Sequence, residues 1–538
     1  MNSPTKQYSF MTPPASSFLY VAAATAAVLC YALLYVRWHR KSALPPGPVG
    51  LPIVGSLPFL DPQLHTYFAG LAKTYGPICR IKLGNMMFVI VSSSSVAREV
   101  VRDHDYVMAN RKLMATASII SYGGSTILWS NNGPTWRMLR RICVQEMLSR
   151  ASLDAVYDLR RSEVRATVHK FRARAAAGEA LNVGEEMLLT VSDVIMSTLW
   201  GASVVGEERS RVGKEFREMV CAVIHLIGKP NVSDFIPFLA RFDLQGLQGK
   251  MKLLSDRFDE IFTHIIDEKK KKKKTEVLMN KEVAGRTDFL DYLLKLEQEG
   301  SYNKMPFHLT NVKAILVDMI IASHASASTM EWVMAVAMKN PKIMARIQQE
   351  LDQVVGKDNI VEESHIPGLP YLAAVIKETL RLYPVSPLLT PRCPASACTV
   401  GGYTVPPGSM VYLNVWAIQR DPSVWEDPLE FKPERFLNSA ANLDFSGSDT
   451  RFIPFGSGRR VCAGIPLAET MVTHVLASLL HSFDWKLPEG TEIDFASTFE
   501  LVLNLVKPLV AIPTPRLPNP EQYARVNELS DRAGESYV

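Results

Sequence analysis

From Phe18 to Val36 the chain runs through 19 mostly apolar residues without a charge, then turns cationic at Arg37, His39, Arg40 and Lys41. As a helix this stretch is long enough to cross a hydrocarbon core of about 30 Å, which predicts a transmembrane helix over 18–36. The polar, proline-containing start and proline-rich exit set it apart from a buried core helix. A cleaved signal peptide has a shorter apolar centre preceded by positive charge, whereas here only Lys6 precedes it. The cations after the span keep that side in the cytosol. Residues 1–44 are therefore expected to anchor a single-pass protein in the endoplasmic reticulum membrane, with the remainder cytosolic. Pro45-Pro46-Gly47-Pro48 and Pro52 cannot continue the helix and predict a stiff hinge over 45–52. Beyond it, the β-branched, apolar run Met87 to Ser92 predicts a strand, and the segments 136–150, 308–338 and 463–483 have helical length. The expected fold is mixed α/β and predominantly helical. The six lysines Lys269 to Lys274 predict a solvated loop between helices. A polar, mobile tail is expected over 516–538, and no internal repeat is visible.

Composition narrows the class. No second composition regime follows the N-terminal segment, so one large domain over 53–515 is expected despite the 538 residues. Hydrophobic residues at 47% supply its core, and a net charge of +5 carries no nucleic-acid signature. Seven cysteines without a C-x-x-C pair argue for a reducing compartment and against a disulfide framework or zinc site.

The chemistry is concentrated in Phe455-Gly456-Ser457-Gly458-Arg459-Arg460-Val461-Cys462-Ala463-Gly464. A lone cysteine among glycines presents one thiolate to a haem iron, and such a ligand favours O–O cleavage over plain electron transfer. The glycines let the chain turn sharply and approach a porphyrin closely. Arg460 carries a planar fork of donors suited to a haem propionate. A small buried core cysteine is the competing reading, and the spacing excludes a dinucleotide loop. The whole F-G-x-G-x-R-x-C-x-G pattern, with Phe455, Gly458, Arg460, Cys462 and Gly464 in place, resembles the cytochrome P-450 superfamily. The helical stretch Leu467 to Phe483 follows where that family packs a helix on the haem. The resemblance is to the plant microsomal branch and, within it, to the seven-hundred-and-six group.

That resemblance implies a cytochrome P-450 fold, haem b with its iron on Cys462, and electrons from NADPH through a separate NADPH-cytochrome reductase. It assigns Glu378 and Arg381 of E-x-x-R, with Arg435 of Pro433-Glu434-Arg435-Phe436, to a buried charge cluster behind the haem. Trp136 and Arg140 match W-x-x-x-R, and Arg392 matches a third propionate contact. Membrane lipid, dioxygen and a small hydrophobic or aromatic substrate complete the expected partners, with no nucleic acid. The cavity wall is expected from Ser118 to Leu128, Met319 to Ser326, Val385 to Leu389 and Leu501 to Leu505.

The distal helix departs from the family's A/G-G-x-D/E-T-T/S. Counting back from Glu331-Trp332, its acid is His324, its alcohol Ala325 and its glycine Ala322. Counting forward from Asp318-Met319 instead puts Ser326 at the alcohol position. The first register motivates a specific expectation: dehydration of an aldoxime such as phenylacetaldoxime to a nitrile, then hydroxylation to a cyanohydrin, with His324 as proton donor. The alternative is ordinary hydroxylation of a terpenoid or flavonoid. A rival of another class is a haem-binding protein without catalysis.

Overall fold

A computed structural model describes residues 20, 25–26, 43–201, 206–278, 288–437 and 443–524. The anchor expected over 18–36 lies almost entirely outside the described residues, and among these no helix is long and apolar enough to cross a membrane.

The small sheet forms first along the chain. Strands β1 (Ile78–Leu83) and β2 (Met86–Val91) make an antiparallel hairpin, and β3 (Met410–Leu413) joins β2 in parallel from more than 300 residues away. The expected strand at Met87 to Ser92 is β2, shifted by one residue. Helix α1 (Pro134–Arg141) starts with proline at its first turn, where the missing N–H costs nothing. It runs on into a wider-wound segment, Ile142–Met147, so the helix expected over 136–150 is present in two windings.

The helical core is built from α2 (Tyr157–Ala176), α3 (Val183–Trp200), α4 (Gly206–Gly228), α5 (Leu247–Leu278), α6 (Leu309–Lys339), α7 (Pro370–Leu382) and α8 (Ile465–Ser482). Apolar residues cover α6 nearly all round from Val312 to Val317 and from Met330 to Ala337, so it can only be a central helix. It packs against α3, α4, α7 and α8. The His308 and Asn311 side chains cap its start reciprocally, and it stops before Pro341. At the other edge, β4 (Phe483–Lys486) pairs with β7 (Val510–Pro515), while β5 (Ser497–Phe499) and β6 (Leu503–Leu505) form a hairpin. That hairpin is fixed to α6 because the Leu503 carbonyl accepts from Ser328 Oγ at 2.9 Å and Trp332 Nε1 at 3.0 Å.

Two expectations need correction. Lys269 to Lys274 are not a loop but part of α5. Lysine is a good helix former, and Lys269 pairs with Asp288 and Asp291 while Lys270 reaches Glu297 at 3.2 Å. The tail does not begin at 516: Arg516 pairs with Asp352 at 2.6 Å, and Tyr523 is buried with its hydroxyl donating to the Ser482 carbonyl. The domain thus continues through residue 524, and 525–538 lie outside the described residues.

Candidate functional site

The cysteine loop closes on itself through the Cys462 N–H, which donates to the Phe455 carbonyl at 3.0 Å. Gly456 takes φ +76°, a region costly for residues with a side chain, and it faces the central cavity together with Phe455. Gly458, also left-handed, serves a different contact from the one expected. A Cβ there would stand 2.5 Å from Asp105 Oδ1 and 2.6 Å from the Val101 carbonyl, so this glycine admits the neighbouring segment. The Gly464 N–H donates to Cys462 Sγ at 3.3 Å. Burial raises the Cys462 thiol, while the Gly464 and Ile465 N–H groups and the Arg140 charge pull the other way. The Cys462 side chain is accessible, and it opens onto an internal cavity of about 390 Å³.

Four guanidiniums border that cavity: Arg111, Arg140, Arg392 and Arg460. Arg460 donates to three carbonyls, those of Ala109, Ile127 and Ser130, and lies 4.3 Å over the Trp136 ring. Burial, then Arg392 and Arg140, hold its pKa down to about 9. Arg111 donates to the Leu128, Thr390 and Pro391 carbonyls, and burial beside Arg460 and Arg392 pushes it well below its ordinary value. Arg392 has an acid partner, Asp105, at 3.1 Å, and also donates to the Ser457 carbonyl. Burial lowers both Arg392 and Arg140. Among the described residues, Asp105 is the one carboxylate paired with any of the four. So much enclosed positive charge calls for anions, and the two propionates of haem fit. Trp136 also lines the cavity; its Nε1 donates to the Ile127 carbonyl at 3.1 Å, and its ring lies under the Arg140 and Arg460 guanidiniums.

Behind the loop, Arg381 grips Glu378 with Nε at 2.7 Å and Nη2 at 2.8 Å, and both are fully buried. Arg435 Nε adds a contact of 3.3 Å to the same carboxylate. The expected cluster of Glu378, Arg381 and Arg435 is therefore assembled as one unit.

On the distal side, α6 borders the cavity chiefly through one face, Asp318, Ile321, Ala322, Ala325, Ser326 and Thr329, with Val317 and Met319 flanking it at the start. The three-then-one spacing is that of a continuous helix. Ala325 and Ser326 both line the wall, and Thr329 Oγ1 donates to the Ala325 carbonyl at 2.8 Å. His324 is not among the lining residues. A step of about 100° per residue turns it off the cavity face, toward Asn504 and Glu500, and burial lowers its pKa against their pull. The expected proton donor is thus not placed on the cavity wall. The other walls come from Ile120 to Leu128, Val385 to Leu389 and Leu501-Val502, close to the expected segments.

Sequence reasoning missed Arg111, Asp105 and Asp318. Each stands alone in its local sequence, and only long-range packing brings them to the site. Asp318 was visible only as a register mark. Its carboxyl, enclosed and facing the cavity, is pushed up to about 7 by burial, against the pull of the Ile127 and Leu128 N–H groups and the Thr126 hydroxyl.

The family described as Cytochrome P450 matches residues 45–511. The chain is 38% identical over 497 residues to a flavonoid 3'-monooxygenase of Crocosmia x crocosmiiflora, covering 90% of this chain and 96% of that protein. It is 37% identical over 503 residues to a flavonoid 3',5'-hydroxylase of Solanum melongena, covering 91% and 96%. It is 39% identical over 479 residues to cytochrome P450 76C4 of Arabidopsis thaliana, covering 88% and 92%. Among solved structures, a zebrafish cytochrome P450 with progesterone superposes with a TM-score of 0.71 at 26% identity, covering 85% of this chain and 100% of that one.

Haem b fits here with Cys462 as its thiolate ligand and with Arg111, Arg140, Arg392 and Arg460 as candidates to hold its propionates. When bound and fed electrons from NADPH through a reductase, haem supplies the activation of dioxygen that puts one oxygen atom into a C–H bond. The matched span and the thiolate loop under the cavity agree: this chain belongs to the cytochrome P450 family.

Proposed function

We propose that this protein is a monooxygenase of plant specialised metabolism that hydroxylates a flavonoid or a related phenolic. The observation that carries the reading is the similarity to flavonoid hydroxylases over about nine-tenths of the chain. The cavity agrees in character. Its distal wall of Ile321, Ala322 and Ala325 is apolar, and Ser121, Ser326 and Ser386 supply hydroxyls against which a phenolic group is oriented. Electrons arrive from a membrane reductase, and the exposed Arg137 and Arg141 are candidates to meet its acidic face. The anchor keeps the enzyme on the cytosolic face of the endoplasmic reticulum. Within the family, the motif running on from Cys462 to Glu469 supports placement in the seven-hundred-and-six group.

The aldoxime reading loses its motive, because His324 is turned off the wall where the proton was needed. A haem-binding protein without catalysis is disfavoured by the complete ligand loop and guanidinium cluster. The test is product analysis in microsomes with reductase and NADPH, using flavanones, flavones, a monoterpene alcohol and phenylacetaldoxime. A hydroxylated flavonoid is expected. Nitrile from the aldoxime with no flavonoid product would restore the other reading, and no product from any compound would favour the non-catalytic one.

A further inference from the structure

The peptides of Ile127 and Leu128 are held from both sides. The Ile127 N–H donates to Asp318 Oδ2 on α6 at 2.6 Å, while its carbonyl accepts from Arg460 Nη1 and Trp136 Nε1, each at 3.1 Å. Leu128 repeats the arrangement. Its N–H is a further partner of Asp318, and its carbonyl accepts from Arg111 Nε at 3.2 Å. The Thr126 hydroxyl is the third donor to the carboxyl. Residues 126–128 all line the cavity, as does Asp318.

We propose that Asp318 is a positioning residue that sets the shape of the cavity roof, tying the Thr126–Leu128 segment to the distal helix and, through its two carbonyls, to the guanidiniums of Arg460 and Arg111. One carboxyl thereby replaces what a loop cannot do alone. Three consecutive residues with no regular backbone pairing need buried partners for their N–H groups, and Asp318 supplies two of them. Hydrogen bonds in such a chain polarise one another, so each peptide that donates to Asp318 accepts more strongly from its arginine. Asp318 lies seven residues, two helical turns, before Ala325 on the same face. A substrate held against Ala325 therefore meets the roof that Asp318 fixes. The inference rests on the cavity and its haem, and not on which phenolic is hydroxylated.

Two iron ligands of different reach test this without a known substrate. Imidazole binds haem iron without filling the roof, whereas 4-phenylimidazole carries a ring into the cavity. Both are titrated by difference spectroscopy on the haem-loaded enzyme and its Asp318→Ala and Asp318→Asn variants, at one pH and one salt concentration. Asp318→Ala is expected to weaken 4-phenylimidazole by about tenfold, the scale of one lost hydrogen bond, with imidazole unchanged within about twofold. Asparagine keeps one acceptor oxygen, so Asp318→Asn should fall between alanine and the parent. Should Asp318→Ala fail to load haem, Asp318→Asn decides: a loss for 4-phenylimidazole alone supports the proposal. Equal losses for both ligands, or none for either, would overturn it. Failure of flavonoid turnover would leave these titrations unaffected, so the two readings fail separately.

Discussion

Arg381 holds Glu378 through two parallel hydrogen bonds of 2.7 and 2.8 Å, three residues apart on α7, with neither side chain exposed at all. The remaining Arg381 donors go to the Gln419, Pro428 and Glu430 carbonyls, so the pair stitches α7 to the segment that leads into the cysteine loop. Removing Arg381 leaves the buried Glu378 carboxylate with only the Arg435 contact at 3.3 Å and the Lys432 N–H in place of its bidentate partner. Arg381→Leu should therefore cost about 3 to 5 kcal/mol, read as lost thermal stability together with lost haem. A change below about 1 kcal/mol would mean that water reaches the cluster.

Cys462→Ala should abolish the thiolate-type Soret band of the reduced carbon monoxide complex and all product formation. Retention of that band would displace Cys462 from its place as the iron ligand. Cys143, the other cysteine bordering the cavity, is the residue to examine in that case.

Arg111→Met should weaken haem binding more than it weakens the fold. In the apoprotein, relief of the repulsion from Arg460 and Arg392 offsets the loss of the bonds to the Leu128, Thr390 and Pro391 carbonyls, so the melting temperature should change little. With haem it removes a candidate propionate partner, so haem should dissociate about tenfold faster. Paired melting curves and haem transfer to apomyoglobin measure both, and an unchanged haem dissociation rate would count against the propionate role.

Ala325→Thr should place a hydroxyl on the cavity face and raise product formed per NADPH consumed severalfold in the hydroxylation of a flavonoid, while His324→Ala should change it little. Stoichiometry of NADPH, peroxide and product checks this. A large loss from His324→Ala alone would return His324 to the proton path by some route other than the wall.

Acid should destabilise the fold through His65. It sits against the rings of Trp416 and Phe499, and burial, then Arg420, lower its pKa from 6.5 to about 4. A neutral histidine in the folded state means that its stability contribution is complete above pH 6.5. It is lost as the pH falls from 6.5 toward 4, by up to about 3 kcal/mol. His65→Phe should flatten this part of the stability curve measured by denaturant unfolding between pH 7 and 4. An unchanged slope would show that His65 takes up its proton equally in the folded and unfolded states.

Much of the site was legible in the sequence because its parts are local. The thiolate loop, E-x-x-R on one helical face and W-x-x-x-R each lie within one turn or one loop, so spacing alone brings their groups together. The helical character of α6 and α8 was readable for the same reason, as apolar periodicity over many residues. What the sequence could not settle was direction and distance. His324 and Ala325 are adjacent in the chain, yet the phase of α6, fixed by Trp332 and Ser328 bonding to Leu503, turns one off the cavity and the other onto it. Arg111, Asp105 and Asp318 carry no local pattern, and they enter the site only because folding closes loops of up to several hundred residues. The lysine run became helix, and residues 516–524 became part of the domain, because Asp288, Glu297 and Asp352 arrive from elsewhere in the chain. Covalent neighbours thus fixed the ligand and the helices that frame it, whereas the charges, the roof and the facing of each wall residue depend on burial, which exists only once distant segments have packed.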